Sequence, residues 1–149
     1  MIEEKQFVVF ISGVQHYFSQ TCNEKVEVMP PYILDKELTL MDYTGVISIS
    51  GNHSGRVYFT ADQLLLRRIL QNLGEPGSAD PALLEDIAGE VANQISGNFR
   101  SKFGQHFIIS TPTVYNRPLG VNFDEKRATY VVPLIWRGEK ACLVVDFQR

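Results

Sequence analysis

The chain has 149 residues, 44 % of them hydrophobic and 21 % charged, enough for one globular domain with its own core. Lys and Arg number 14 against 17 Asp and Glu, a formal charge of −3, which offers no basic field for nucleic acid or an anionic membrane. No apolar run is long enough to cross a bilayer, the amino end MIEEKQFVVFISG has acids where a signal peptide has bases, and the two cysteines read as reduced thiols, which together lead to the expectation of a cytoplasmic protein.

From Glu3 to about Thr21, apolar residues recur at Phe7, Phe10, Ile11, Val14 and Phe18, the spacing of an amphipathic helix that Gly13 weakens. Val26, Val28, Leu38 and Leu40, with Pro30 and Pro31 between them, predict short edge strands. The apolar runs Gly45–Ser50 and Arg56–Thr60 flank Gly51-Asn52-His53-Ser54-Gly55 and predict a β-hairpin. Thr60 and Gln63 have capping-box spacing, so a second helix is predicted to start at Thr60 and to stop at Gly74. A turn over Glu75-Pro76-Gly77-Ser78 precedes Asp80 as N-cap and Pro81 as first helical residue of a long helix reaching about Phe103. Phe107–Ile109, Thr129–Trp136 and Lys140–Phe147 predict strands, with a tight turn at Arg137-Gly138. No linker, repeat or low-complexity tract divides the chain, so residues 1–149 read as a single α+β domain, an antiparallel β-sheet packed against helices.

The long helix carries the most information. At about 100° per residue, Leu84, Ile87, Ala88, Val91, Ile95 and Phe99 form one apolar stripe, with Asp86, Glu90, Asn93 and Gly97 roughly opposite it. Asn and Gly are poor helix formers, and Asp86 and Glu90 are like charges one turn apart. Periodicity by itself leaves open a plain solvated face with an incidental glycine. The combination also fits a docking surface: the acids call for a cation, Asn offers a neutral donor and acceptor, and Gly admits another backbone.

Glu90-Val91-Ala92-Asn93, within Gly89–Asn98, resembles the signature helix of the CheC/CheX/FliY family of chemotaxis phosphatases. Asp42–Gly51 with Ser54-Gly55-Arg56-Val57 resembles the family's hairpin, and Ser110–Val114 resembles the strand after the signature helix, so the resemblance spans roughly residues 42–114. It implies a CheX-like phosphatase that hydrolyses the aspartyl phosphate of a CheY-like response-regulator receiver. In that role Asn93 would orient the attacking water and Glu90 would dock onto the receiver's active-site Lys, with Asp86 and Gly97 as further partner contacts. The resemblance implies no cofactor bound by the chain itself, Mg²⁺ on the phospho-receiver, and a homodimer. CheC-type relatives carry a second Glu-x-x-Asn on the first helix, where this chain has only Glu3-Glu4-Lys5-Gln6 and Gly13-Val14-Gln15-His16, so a single active face is expected.

Two other functions compete. The same face would serve a non-catalytic adaptor that binds a receiver domain, or a flagellar switch component related to FliM, which the lack of an extra domain disfavours. The remaining polar candidates carry less. His16, His53 and His106 lack ligand spacing, Asp86 with Glu90 supplies too few oxygens for a cation, and Gly51–Gly55 is a turn rather than a phosphate loop. Cys22 and Cys142 lack metal-ligand spacing and read as reduced thiols, Ser96 as structural, and Trp136 as a core or dimer contact.

Overall fold

Hydrophobic periodicity along the chain shifts between three-and-four spacing and β-branched runs, and the secondary structure follows it. The computed structural model describes residues 4–75, 80–122 and 124–148. Helix α1 (Glu4–Thr21) is followed by the two-residue strands β1 (Glu27–Val28), β2 (Tyr32–Ile33) and β3 (Leu38–Thr39), and then by the hairpin β4 (Tyr43–Gly51) and β5 (Gly55–Ala61). Helices α2 (Gln63–Asn72) and α3 (Pro81–Phe103) come next, then the short strands β6 (Phe107–Ile109), β7 (Thr113–Tyr115) and β8 (Gly120–Val121), and the closing hairpin β9 (Arg127–Trp136) and β10 (Glu139–Gln148). Glu3 and the Pro76-Gly77-Ser78 part of the expected turn lie outside the described residues.

The main sheet runs β1-β9-β10-β5-β4-β6, with β2 also pairing β9 and β7 also pairing β4, all antiparallel. Strands β3 and β8 form a separate two-stranded ladder. Arg137 and Gly138 both have positive φ, 51° and 79°, the conformation a two-residue hairpin needs. This is the α+β architecture read from the sequence.

One face of the sheet, through Ile47, Val57, Phe59, Leu143 and Val145, packs on Phe10 and Val14 of α1, Leu65 and Ile69 of α2, and Leu84, Val91 and Ile95 of α3. On the other face Tyr58, Val131, Cys142 and Val144 are buried with Leu34 and Leu40, and the β3–β8 ladder adds Leu38 and Val121. The central strands are therefore buried on both sides, which explains why Val131-Val132 and Cys142-Leu143-Val144-Val145 are continuous apolar runs rather than alternating ones.

Two glycines set the distances between layers. A Cβ on Gly45 of β4 would lie 2.6 Å from the Ala88 carbonyl oxygen and 3.0 Å from Ala92 Cβ, so α3 rests directly on that strand. A Cβ on Gly13 would come within 2.5 Å of the Phe99 ring, so the residue that weakens α1 as a helix lets α1 close against α3.

The start of α2 differs from the capping-box expectation. Thr60 belongs to β5 and is buried. Its Oγ1 accepts from the Met41 backbone N–H at 2.7 Å and from Thr44 Oγ1 at 2.9 Å. Asp62 is the N-cap residue without a side-chain cap, and Asp42 Oδ2 accepts from the Gln63 N–H at 2.9 Å instead. A carboxylate brought in by the fold thus replaces the local cap. At the other end Gly74, with φ 88°, completes a Schellman turn in which Glu75 N–H donates to Leu70 at 2.9 Å and Gly74 N–H to Gln71 at 3.1 Å. No helix among the described residues is long and apolar enough to cross a membrane.

Candidate functional site

Helix α3 presents the site, and its start is set by the residues that the sequence singles out. Asp80 Oδ1 accepts from Ala82 N–H at 3.0 Å, Pro81 takes the first helical position, and Gly104 stops the helix with φ 98°. Leu84, Ile87, Ala88, Val91, Ile95 and Phe99 are all buried, as the periodicity predicts. Gly89, Ala92 and Ser96 are buried as well, because α3 is flanked as well as underpinned. A Cβ on Gly89 would sit 3.1 Å from Val114 Cγ2 and 3.3 Å from Pro112 Cγ, so the segment entering β7 leans on the helix there.

Asp86, Glu90, Asn93 and Gly97 come together on the outward face of α3. Asp86 and Glu90 are exposed, and Asn93 and Gly97 are half-buried. Nothing lies within 4 Å of a Cβ built on Gly97, so the surface there is open to an approaching backbone. Arg100 and Lys102 in the last turn of the helix complement its dipole.

Glu90 has neighbours that the sequence reading did not identify. Gln94 Nε2 donates to Glu90 Oε1 at 2.8 Å, and Thr21 Oγ1, at the end of α1, donates to Gln94 Oε1 at 3.1 Å. Tyr17, one turn before Thr21, is buried; its hydroxyl is pushed above its ordinary value first by burial and then by the nearby Cys22 and Glu90. The i, i+4 spacing of Glu90 and Gln94 was a usable signal. Thr21 and Tyr17 had none, because only the packing of α1 on α3 brings them near. A polar groove of about 580 Å³ runs between the two helices past Gln94, Gly97 and Asn98.

The other candidates fall into structural places. The His53 ring packs 5.0 Å from Phe103 and 5.4 Å from Phe147, while His16 and His106 are exposed on other elements. Trp136 is buried in the core against Phe18. Both cysteines are free and buried. Burial, helped by Glu24 and opposed by Arg137, raises Cys22 to about 11, and burial raises Cys142 to about 12, so neither is an activated nucleophile. A second cleft of about 550 Å³ opens on the sheet face away from α3, where burial raises the Asp146 carboxyl although Arg127 Nη1 stands 3.4 Å from it.

The family described as "Chemotaxis phosphatase CheX" matches residues 43–134, extending the likeness past Val114 into β9. No curated protein matches. Among solved structures, a CheC-like superfamily protein from Shewanella sp. PV-4 is 20 % identical with a TM-score of 0.84, over 99 % of this chain and all of that one. The chemotaxis protein CheX from Vibrio vulnificus is 22 % identical with a TM-score of 0.80, over 96 % of this chain and 99 % of that one. A chain of the CheX–CheY–BeF₃–Mg²⁺ complex from Borrelia burgdorferi is 14 % identical with a TM-score of 0.70, covering 96 % of this chain and 97 % of its own.

Proposed function

The chain belongs to the CheX family of chemotaxis phosphatases, and from that premise we propose that it hydrolyses the aspartyl phosphate of a CheY-like response-regulator receiver through the Glu90–Asn93 face of α3. The observation that carries this reading is the placement of Glu90 and Asn93 on adjacent turns of one outward face, while Val91 and Ala92 between them are wholly buried. The core thus fixes the helix, and the two polar side chains are left for a partner. The receiver itself is carried over from the Borrelia complex, which joins a protein of the same fold to CheY.

Hydrolysis of an acyl phosphate proceeds by in-line attack of water through a loose transition state, so catalysis is mainly positioning and electrostatics. The Asn93 carboxamide holds the water by hydrogen bond and adds no negative charge beside the phosphoryl oxygens. Glu90 meets the cationic side chain of the receiver's active site and seats the helix over the phosphoryl group, with Asp86 extending the negative patch and Gly97 leaving room for the receiver's backbone. Mg²⁺, held by the receiver, belongs to the substrate and neutralises the phosphoryl oxygens. A cytoplasmic homodimer completes the reading, and sedimentation of the purified chain tests the dimer.

The decisive experiment follows phosphate loss from phosphorylated receivers of the host, each with and without the protein. Accelerated decay of at least one receiver establishes the phosphatase. Binding of a receiver without accelerated decay would replace it with the adaptor function.

A further inference from the structure

The Glu90 carboxylate is not loose on the surface of α3. Its Oε1 accepts from Gln94 Nε2 at 2.8 Å, and Gln94 Oε1 accepts from Thr21 Oγ1 at 3.1 Å across a sequence separation of 73 residues. The three side chains form a short relay from the last turn of α1 to the outward face of α3. Earlier along α1 the two helices are in direct contact: Phe10 packs on Phe99 of α3 at 5.1 Å, and Gly13 lets the backbones close.

We propose that Gln94 and Thr21 are positioning residues that hold the Glu90 carboxylate in one rotamer, with Oε1 occupied and Oε2 free for the receiver's cation. The inference rests on the docking role of Glu90 proposed above. An unrestrained exposed glutamate samples several rotamers, and docking must select one. A relay that makes the selection during folding removes that ordering cost from the encounter. The residue type at position 94 fits the role. A Lys four residues after Glu90 would be the common helix-stabilising choice, but it would neutralise the carboxylate and compete with the receiver. A carboxamide orients the carboxylate and leaves its charge intact. Glu90 also raises the Tyr17 hydroxyl, after burial and Cys22, in keeping with a carboxylate close to α1.

The test measures KM and kcat for hydrolysis of a phosphorylated cognate receiver, together with the affinity for the same receiver loaded with Mg²⁺ and beryllofluoride. Gln94→Met keeps side-chain length and helix propensity and is expected to raise KM about three- to tenfold, with kcat within twofold of wild type. Thr21→Val, which removes only the hydroxyl, is expected to shift KM in the same direction by less, and it serves if Gln94→Met does not fold. Gln94→Lys is expected to raise KM at least as far as Gln94→Met. In a Glu90→Ala background Gln94→Met and Thr21→Val are expected to have no further effect, because they act through Glu90. An unchanged KM for Gln94→Met, beside a raised KM for Glu90→Ala, would overturn the relay and leave the docking role of Glu90 standing. An undiminished effect of Gln94→Met in the Glu90→Ala background would also overturn it, since Gln94 would then act on the structure alone. If Glu90→Ala itself changed neither KM nor affinity, the docking role would fall and the relay with it.

Discussion

A carboxamide at position 93 and a carboxylate at the same position have nearly the same shape and differ by one charge, so the pair isolates electrostatics from packing. Asn93 is half-buried and outside the core of α3, so Asn93→Ala opens no cavity. It should lower the rate of receiver dephosphorylation by roughly 10²–10³ without moving the melting curve. Asn93→Asp should be about as damaging. A carboxylate at about 4 Å from a phosphoryl charge carries a repulsion of about 4 kcal/mol at the effective dielectric of a protein surface. Activity within twofold of wild type in either variant would place Asn93 away from the phosphate. Glu90→Lys reverses the charge of an exposed residue whose partner within the chain is Gln94. The variant loses that bond but converts the Asp86–Glu90 repulsion into an attraction of a few tenths of a kcal/mol, so its melting temperature should stay near wild type. Its affinity for a receiver carrying beryllofluoride should fall, and added salt should not restore it. Early melting would instead make Glu90 a structural residue.

At the scale of elements, Gly97 of α3 and Gly45 of the strand beneath the helix behave in opposite ways. Gly45 lies under α3 with no room for a side chain, since its Cβ would meet the Ala88 carbonyl oxygen at 2.6 Å. Gly45→Ala is therefore an overpacking substitution worth about 1–3 kcal/mol, read as a clear drop in melting temperature. Gly97 has open space around the position of a Cβ. Gly97→Ala should gain up to about 1 kcal/mol of helix propensity and raise the melting temperature. If the receiver's backbone approaches at Gly97, the same variant should bind the receiver more weakly. A protein both more stable and equally tight in binding would remove Gly97 from the docking surface. The sequence did distinguish Gly97 as misplaced on a helix. It did not show what Gly13, Gly45 and Gly89 accommodate, because the groups they accommodate, Phe99, Ala88 and Val114, lie on other elements.

For the molecule as a whole, the sheet joins two apolar clusters, one under the helices and one under the β3–β8 ladder. The shared strands β9 and β10 predict a single cooperative unfolding transition. Its buried reporters are already in the chain. Trp136 is in the helix-side cluster and Cys142 in the other, with Cys22 at the end of α1. With its thiol raised to about 11 and about 12 respectively, Cys22 and Cys142 should react with a thiol reagent at pH 8 far more slowly than a free cysteine. Denaturant should accelerate both at the midpoint seen by Trp136 fluorescence and by far-ultraviolet circular dichroism. Separate midpoints would show that the two faces of the sheet unfold independently.

Features that depend on spacing within one element were legible in the sequence. The 3.6-residue period set both the buried stripe of α3 and the outward position of Asp86, Glu90, Asn93 and Gly97. Asp80 and Pro81 marked the start of the helix, and β-branched runs marked the long strands. Contacts between distant segments are set by the fold. Thr60 is a strand residue because Met41 and Thr44 reach its hydroxyl, and α2 is capped by Asp42 from another segment. The continuous apolar strands are continuous because a second cluster covers their far face. The relay to Glu90 exists because the end of α1 packs beside Gln94. Local periodicity records which way a side chain points, and it carries no signal for the distant group that the folded chain brings there.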